Sequence, residues 1–181
     1  MPLVPDPVFV HGVSYALGAI FLAGAADKLR DRHVFIGAVQ AYGLLPVPFV
    51  VVFSFGVMLA ELAVGLALWM PPVWPHAQWA GLALLGVVTG AVIINLLRGH
   101  TELDCGCGGA GGDQPLSWGL VARNGGLAAA LVLAAATPGA RELVWLDYAM
   151  VLVTTASLFG LYAGANQLLA NRPRLARLEG A

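Results

Sequence analysis

Charge is what this sequence has least of. Asp, Glu, Lys and Arg make up 10% of its 181 residues, against about 25% in an ordinary soluble domain. The formal net charge is −1, which gives no electrostatic basis for a nucleic-acid partner. Cysteine is scarce too: the chain has 2, too few for a disulfide scaffold. The segment from Met1 to Pro7 lacks the basic region of a cleavable signal peptide, and no small-residue cleavage site follows the first apolar run. That run is therefore expected to be a retained span. The apolar stretches lack period-2 alternation, which makes a transmembrane barrel a poor alternative, and no repeat of solenoid period is visible.

What is present in excess is apolar surface. Hydrophobic residues reach 59% and the mean hydropathy is +0.81. A chain of this size leaves much of its surface exposed, so a lipid solvent is implied. Crossing a bilayer takes roughly 20 apolar residues in a helix. Five stretches qualify, at about 8–26, 47–70, 78–97, 118–136 and 148–169. The expected fold is all-α: a polytopic transmembrane helix bundle with a four-helix core and a fifth span, forming one domain over 1–181. Ser117 is the expected N-cap of the fourth stretch. Between the first two stretches, a charged cluster from Asp27 to Arg32 precedes Val34, Phe35, Ala38, Val39 and Tyr42. Their spacing predicts a short amphipathic helix across one mouth of the bundle. Gly86 and Gly90, and Gly160 and Gly164, form two GxxxG pairs expected to pack helices together. Tyr42, Trp118, Trp145 and Tyr148 fall near span ends and read as interfacial anchors.

The chemistry concentrates in the loop after the third stretch, where Cys105 and Cys107 stand one residue apart among glycines. A disulfide between such neighbours is strained, hence easily reduced. Glycines 106, 108, 109, 111 and 112 clear the approach for another thiol. Glu102 and Asp104 disfavour a thiolate, whereas Arg98, Arg123 and the start of the following helix favour one. Reversible thiol–disulfide exchange is the leading reading, making the chain a candidate oxidoreductase. Capture of a soft metal, with His100 as third ligand, and an inert structural pair are the alternatives. A closed zinc site would need four ligands, and no resident metal is expected.

Glu61 lies inside the second stretch, where an ionised carboxylate costs a few kcal/mol unless it is paired or protonated. Its candidate partners are Lys28, Arg98 and Arg123. A structural ion pair and a proton-handling site are both open. Asn95 and Asn124 read as helix–helix hydrogen-bonding groups, and His11 as an interfacial or hydrogen-bonded residue.

Four segments together resemble the MauE family of methylamine utilization membrane proteins, within the wider MauE/DoxX group. They are Ala26-Asp27-Lys28-Leu29; Phe35 with Ala41-Tyr42-Gly43-Leu44-Leu45-Pro46; Ala60 through Leu68; and Asp104-Cys105-Gly106-Cys107-Gly108 with Pro115-Leu116-Ser117-Trp118 and Arg123-Asn124. The resemblance implies a multi-pass protein of the cytoplasmic (inner) membrane that supports maturation of methylamine dehydrogenase. It would act on the disulfide-rich small subunit of that enzyme, beside a thioredoxin-like partner, MauD, with Cys105 and Cys107 as the active thiols. Gly108 stands where the family usually has Phe. The layout also looks like that of the quinone-linked thiol oxidases DsbB and vitamin K epoxide reductase, which makes a quinone the candidate cofactor. Those proteins carry a second cysteine pair and this chain does not. A non-catalytic assembly or export scaffold and a small metal or solute carrier are the competing functions. With five spans, most basic residues flank the cysteine side, which the positive-inside rule sends to the cytoplasm. Disulfide formation argues for the opposite facing.

Overall fold

The computed structural model describes residues 5–106, 114–136, 139 and 141–179, with side chains through 171. Its described residues form six α-helices: α1 (Pro7–Arg30), α2 (Arg32–Ala41), α3 (Val47–Ala67), α4 (Trp74–Leu97), α5 (Trp118–Ala134) and α6 (Trp145–Glu179). A 3-10 turn at Pro71–Val73 leads into α4. The protein is an all-α membrane helix bundle. Four segments are long and apolar enough to cross a bilayer: Pro7–Arg30, Val47–Ala67, Pro71–Leu97 and Trp145–Asn171.

The local sequence explains the boundaries. Asp6 caps α1 by accepting the Val8 N–H at 2.8 Å, and Pro7 occupies the first turn, where its missing N–H costs nothing. Prolines again mark the first turns of α3 and α4. The first helix continues past the expected end at residue 26 to Arg30, because Lys28 turns inward instead of seeking water. The fourth stretch is the short one: α5 has 17 residues. Ser117 precedes it in extended conformation but makes no side-chain capping bond.

α1 is the central element and packs against α3, α5 and α6, while α4 packs against α5 and α3. The main core comprises Val13, Leu17, Phe21, Val64, Leu68, Ala77, Leu131 and Ala134. Close approach of α1 and α3 depends on Gly18 and Gly65. A Cβ on Gly18 would lie 2.5 Å from Trp69 and 3.0 Å from the Gly65 carbonyl. The two GxxxG pairs behave differently. Added Cβ atoms at Gly86, Gly90, Gly160 and Gly164 meet nothing within 4 Å, so neither pair carries the packing expected of it among the described residues.

α2 is the amphipathic helix anticipated after the first span. It buries Phe35 and Ala38 against α3 and leaves Val34 60% exposed. Tyr42 also turns inward and is buried, so it is no interfacial anchor; Trp118, Trp145 and Tyr148 are exposed.

At the far end of the bundle Arg141 bonds Asp147 at 2.8 Å and Asp6 at 3.2 Å, joining the starts of α1 and α6. The Val8 N–H and the Arg141 guanidinium hold the Asp6 carboxyl below its ordinary value of 3.8. Its contribution to stability is thus complete above that ordinary value and is lost as pH falls through the lowered folded one. The effect is small because the pair is exposed. In thermal melts across the acid range, Asp6→Asn is expected to show a shallower loss of stability below about pH 4 than the parent chain. Identical acid profiles would remove this role.

Candidate functional site: a sheltered cysteine beneath an amphipathic helix

The loop between α4 and α5 closes on itself. Cys105 donates its N–H to the Gln114 carbonyl at 2.9 Å, and Leu116 donates to Leu103 at 2.9 Å. Asp104 and Pro115 form an isolated antiparallel bridge between these bonds. The Asp104 side chain accepts the Gly106 N–H at 2.7 Å, turning the chain at once after Cys105. Gly106 has φ +68°, and a Cβ there would lie 3.0 Å from both Ala38 and Phe35. Glycine is therefore required twice over, by a left-handed backbone and by contact with α2.

Cys105 is 6% exposed. It packs in a cluster with Tyr42, Val92, Leu96, Leu116 and Leu120, and the Tyr42 hydroxyl donates to its carbonyl at 3.5 Å. The glycine-rich sequence suggested an open loop, but the described half of the motif is sheltered. Cys105 also lines an apolar cavity of about 340 Å³ bounded by α2, α3 and α4, whose wall includes Gly86 and Gly90. Cys107 and the glycine run through Asp113 lie outside the described residues.

The buried carboxylate of Glu61 is paired with Lys28. The ammonium lies 2.9 Å from each Glu61 oxygen, and the two side chains are 6% and 11% exposed. Lys28 also stands 5.5 Å above the Phe35 ring. Lys28 thus ties α1 to α3 and touches α2, the helix beside Gly106.

Of the other partners weighed for Glu61, Arg123 points into the bundle and borders a second, small cavity with Glu61, Lys28 and Asp27. Its guanidinium bonds the side-chain oxygens of Asn124 and Asn166 and lies 5.7 Å from the Tyr162 ring. Asn124 passes the network to Thr89 on α4 at 3.0 Å, the helix–helix bond expected of it. Arg98 is exposed at the C-cap of α4.

Asn95 does not bridge helices: its amide bonds Ala91 of its own helix at 3.0 Å and the His100 ring at 3.2 Å. His100 is thereby engaged with the end of α4. Among the described residues no group of three or more His, Cys, Asp or Glu side chains is placed to hold a metal ion. His11 sits 2.7 Å from the Pro7 carbonyl and edge-on to Trp74 at 4.6 Å.

Fold and site together define a polytopic membrane helix bundle with a buried cysteine in the loop between α4 and α5. A family model described as methylamine utilisation protein MauE matches residues 6–137, and the chain belongs to that family. The MauE protein of Paracoccus versutus is 36% identical over 182 residues, covering 98% of each chain. That of Paracoccus denitrificans is 37% identical over 86% of this chain and 89% of its own. The Methylorubrum extorquens protein is 37% identical over 91% of this chain and 95% of its own. No solved structure matches the chain.

Proposed function

We propose that this protein is an inner-membrane thiol–disulfide oxidoreductase supporting maturation of an exported, disulfide-containing enzyme of methylamine utilisation. The expected client is the small subunit of methylamine dehydrogenase, with a thioredoxin-like protein of the MauD type as partner. The observation that carries this reading is the fixed position of Cys105. Its backbone is bonded to Gln114, and the next residue is turned by Asp104 and wedged against α2. Such investment in one of only two cysteines suits a reactive sulfur whose geometry must be kept.

In a host that makes methylamine dehydrogenase, Cys105→Ser and Cys107→Ser are each expected to abolish maturation while the protein still inserts in the membrane. Enzyme activity and immunoblots of membranes read the two outcomes. Normal maturation in both variants would remove the redox role. A client complex that survives loss of both thiols, with no mixed disulfide trapped by either single variant, would make the protein a scaffold instead.

A further inference from the structure

We infer that the cavity beside Arg123 holds the headgroup of a zwitterionic phospholipid, a phosphatidylethanolamine. Its phosphate pairs with Arg123, its ammonium with Asp27, and its chains run into the gap between α5 and α6. The inference is independent of the thiol–disulfide role.

A cation among membrane helices is costly unless a partner offsets it. Among the described residues the Arg123 guanidinium meets only neutral groups: the side-chain oxygens of Asn124 and Asn166, and the Tyr162 ring. Those bonds use three of its five N–H donors. The cavity it borders has a volume of about 90 Å³ and carries Lys28, Glu61 and Asp27 on its wall. Lys28 and Glu61 neutralise each other at 2.9 Å. Arg123 and the exposed Asp27 are left in one cavity, and no ion pair within 4.0 Å joins them. A cation and an anion held apart across a small space are complementary to a molecule that bears both signs. A water-sized group needs about 10–15 Å³, so the space accepts the oxygens of a phosphate with an ammonium beside them. The guanidinium fork matches phosphate geometry. A primary ammonium can donate to the Asp27 carboxylate, which the quaternary nitrogen of choline cannot. An anionic headgroup would instead set a second negative charge against Asp27.

The helices supply the place for the chains. α5 and α6 each pack on α1 and little on one another. They meet at Gly119, where an added Cβ would lie 2.6 Å from Leu169, and again where Arg123 bonds Asn166. Gly126 is seven residues beyond Gly119 and hence on nearly the same face. Yet it is exposed, and an added Cβ there meets nothing within 4 Å. The two helices therefore part just past Arg123, and the gap faces lipid. Arg123 is five residues from Trp118, where α5 begins, and Asn166 is five from Asn171, where the α6 span ends. At about 1.5 Å per residue, both lie about 7–8 Å inside the same end of the bundle. A headgroup at that depth leaves its chains pointing along the gap toward the bilayer middle, which a soluble zwitterion would not use.

The test is native mass spectrometry of the full chain in detergent, offered an equimolar mixture of phosphatidylethanolamine, phosphatidylcholine and phosphatidylglycerol with the same acyl chains. The parent is expected to carry about one phosphatidylethanolamine, in roughly fivefold or greater excess over either competitor. Asp27→Asn should bring the phosphatidylethanolamine and phosphatidylglycerol adducts to within about twofold of each other, because the carboxylate that favours one and repels the other is gone. Arg123→Gln should lower every adduct by about tenfold or more, the usual effect of losing a charged hydrogen-bond partner. Arg30→Gln, which removes an exposed cation at the same end of the bundle, should match the parent. Asp27 is exposed, so Asp27→Asn should also keep the parent's thermal midpoint, which separates a changed preference from a damaged fold. Equal adducts of the three lipids on the parent would overturn the proposal, as would an unchanged preference in Asp27→Asn. Complete displacement of the lipid by soluble phosphoethanolamine would show that the chains add nothing and would overturn the lipid assignment.

Discussion

Replacing Glu61 with Gln is expected to destabilise the bundle by about 3–5 kcal/mol, the usual cost of removing one partner from a buried ion pair. The Lys28 ammonium is bonded to both Glu61 oxygens at 2.9 Å and is 6% exposed. Without the carboxylate it keeps its desolvation penalty and loses the compensation for it. Lys28→Met should cost a similar amount by stranding Glu61. The double variant, Lys28→Met with Glu61→Met, should recover most of the loss, because apolar residues of similar volume often replace a buried pair without penalty. Thermal unfolding of the purified variants in one detergent gives the complete double-mutant cycle. A double variant as unstable as the sum of the singles would show that the two residues do not act as a pair. Since Lys28 stands over Phe35, which packs beside Gly106, the single variants should also speed alkylation of Cys105 by loosening α2.

Gly18→Leu should also be damaging, for a steric reason. The added Cβ would lie 2.5 Å from Trp69 and 3.0 Å from the carbonyl oxygen of Gly65. The ring can swing away, but the carbonyl belongs to α3 and yields only if two helices separate. Overpacking of this kind costs typically 1–3 kcal/mol, and a backbone obstacle puts Gly18→Leu at about the top of that range. Gly160→Leu is the matched control, since its Cβ meets nothing within 4 Å, and should leave stability within about 0.5 kcal/mol. Yields of monodisperse protein and thermal midpoints report both. Equal behaviour of the two variants would contradict the close α1–α3 approach.

How much of this was legible in the sequence follows from the kind of signal involved. Hydropathy is one-dimensional, so the helical segments and their approximate limits could be read directly. So could α2, whose buried Phe35 and Ala38 recur at helical spacing. The partner of Glu61 could only be narrowed to Lys28, Arg98 and Arg123. Choosing among them requires the rotation of α1 against α3, set by contacts 33 residues apart in sequence. The GxxxG pairs show the matching weakness of a motif: it says that two residues are small, not what faces them. Gly18 and Gly65, which belong to no such pair, carry the contact. The cavity was invisible because its wall comes from three helices and the loop. Tyr42 was misplaced at the interface for the same reason, since proximity to a span end does not say which way a ring turns.

The brevity of α5 has a consequence for the membrane itself. At about 1.5 Å per residue, its 17 residues reach about 26 Å, less than the roughly 30 Å of an average hydrocarbon layer. Its neighbour α4, with 24 residues, has length to spare. A bilayer crossing by α5 would have to be met by thinned lipid, at a fraction of a kcal/mol for each ångström of mismatch. Headgroups and water would then dip toward that flank, giving the protein a preference for thinner patches of bilayer.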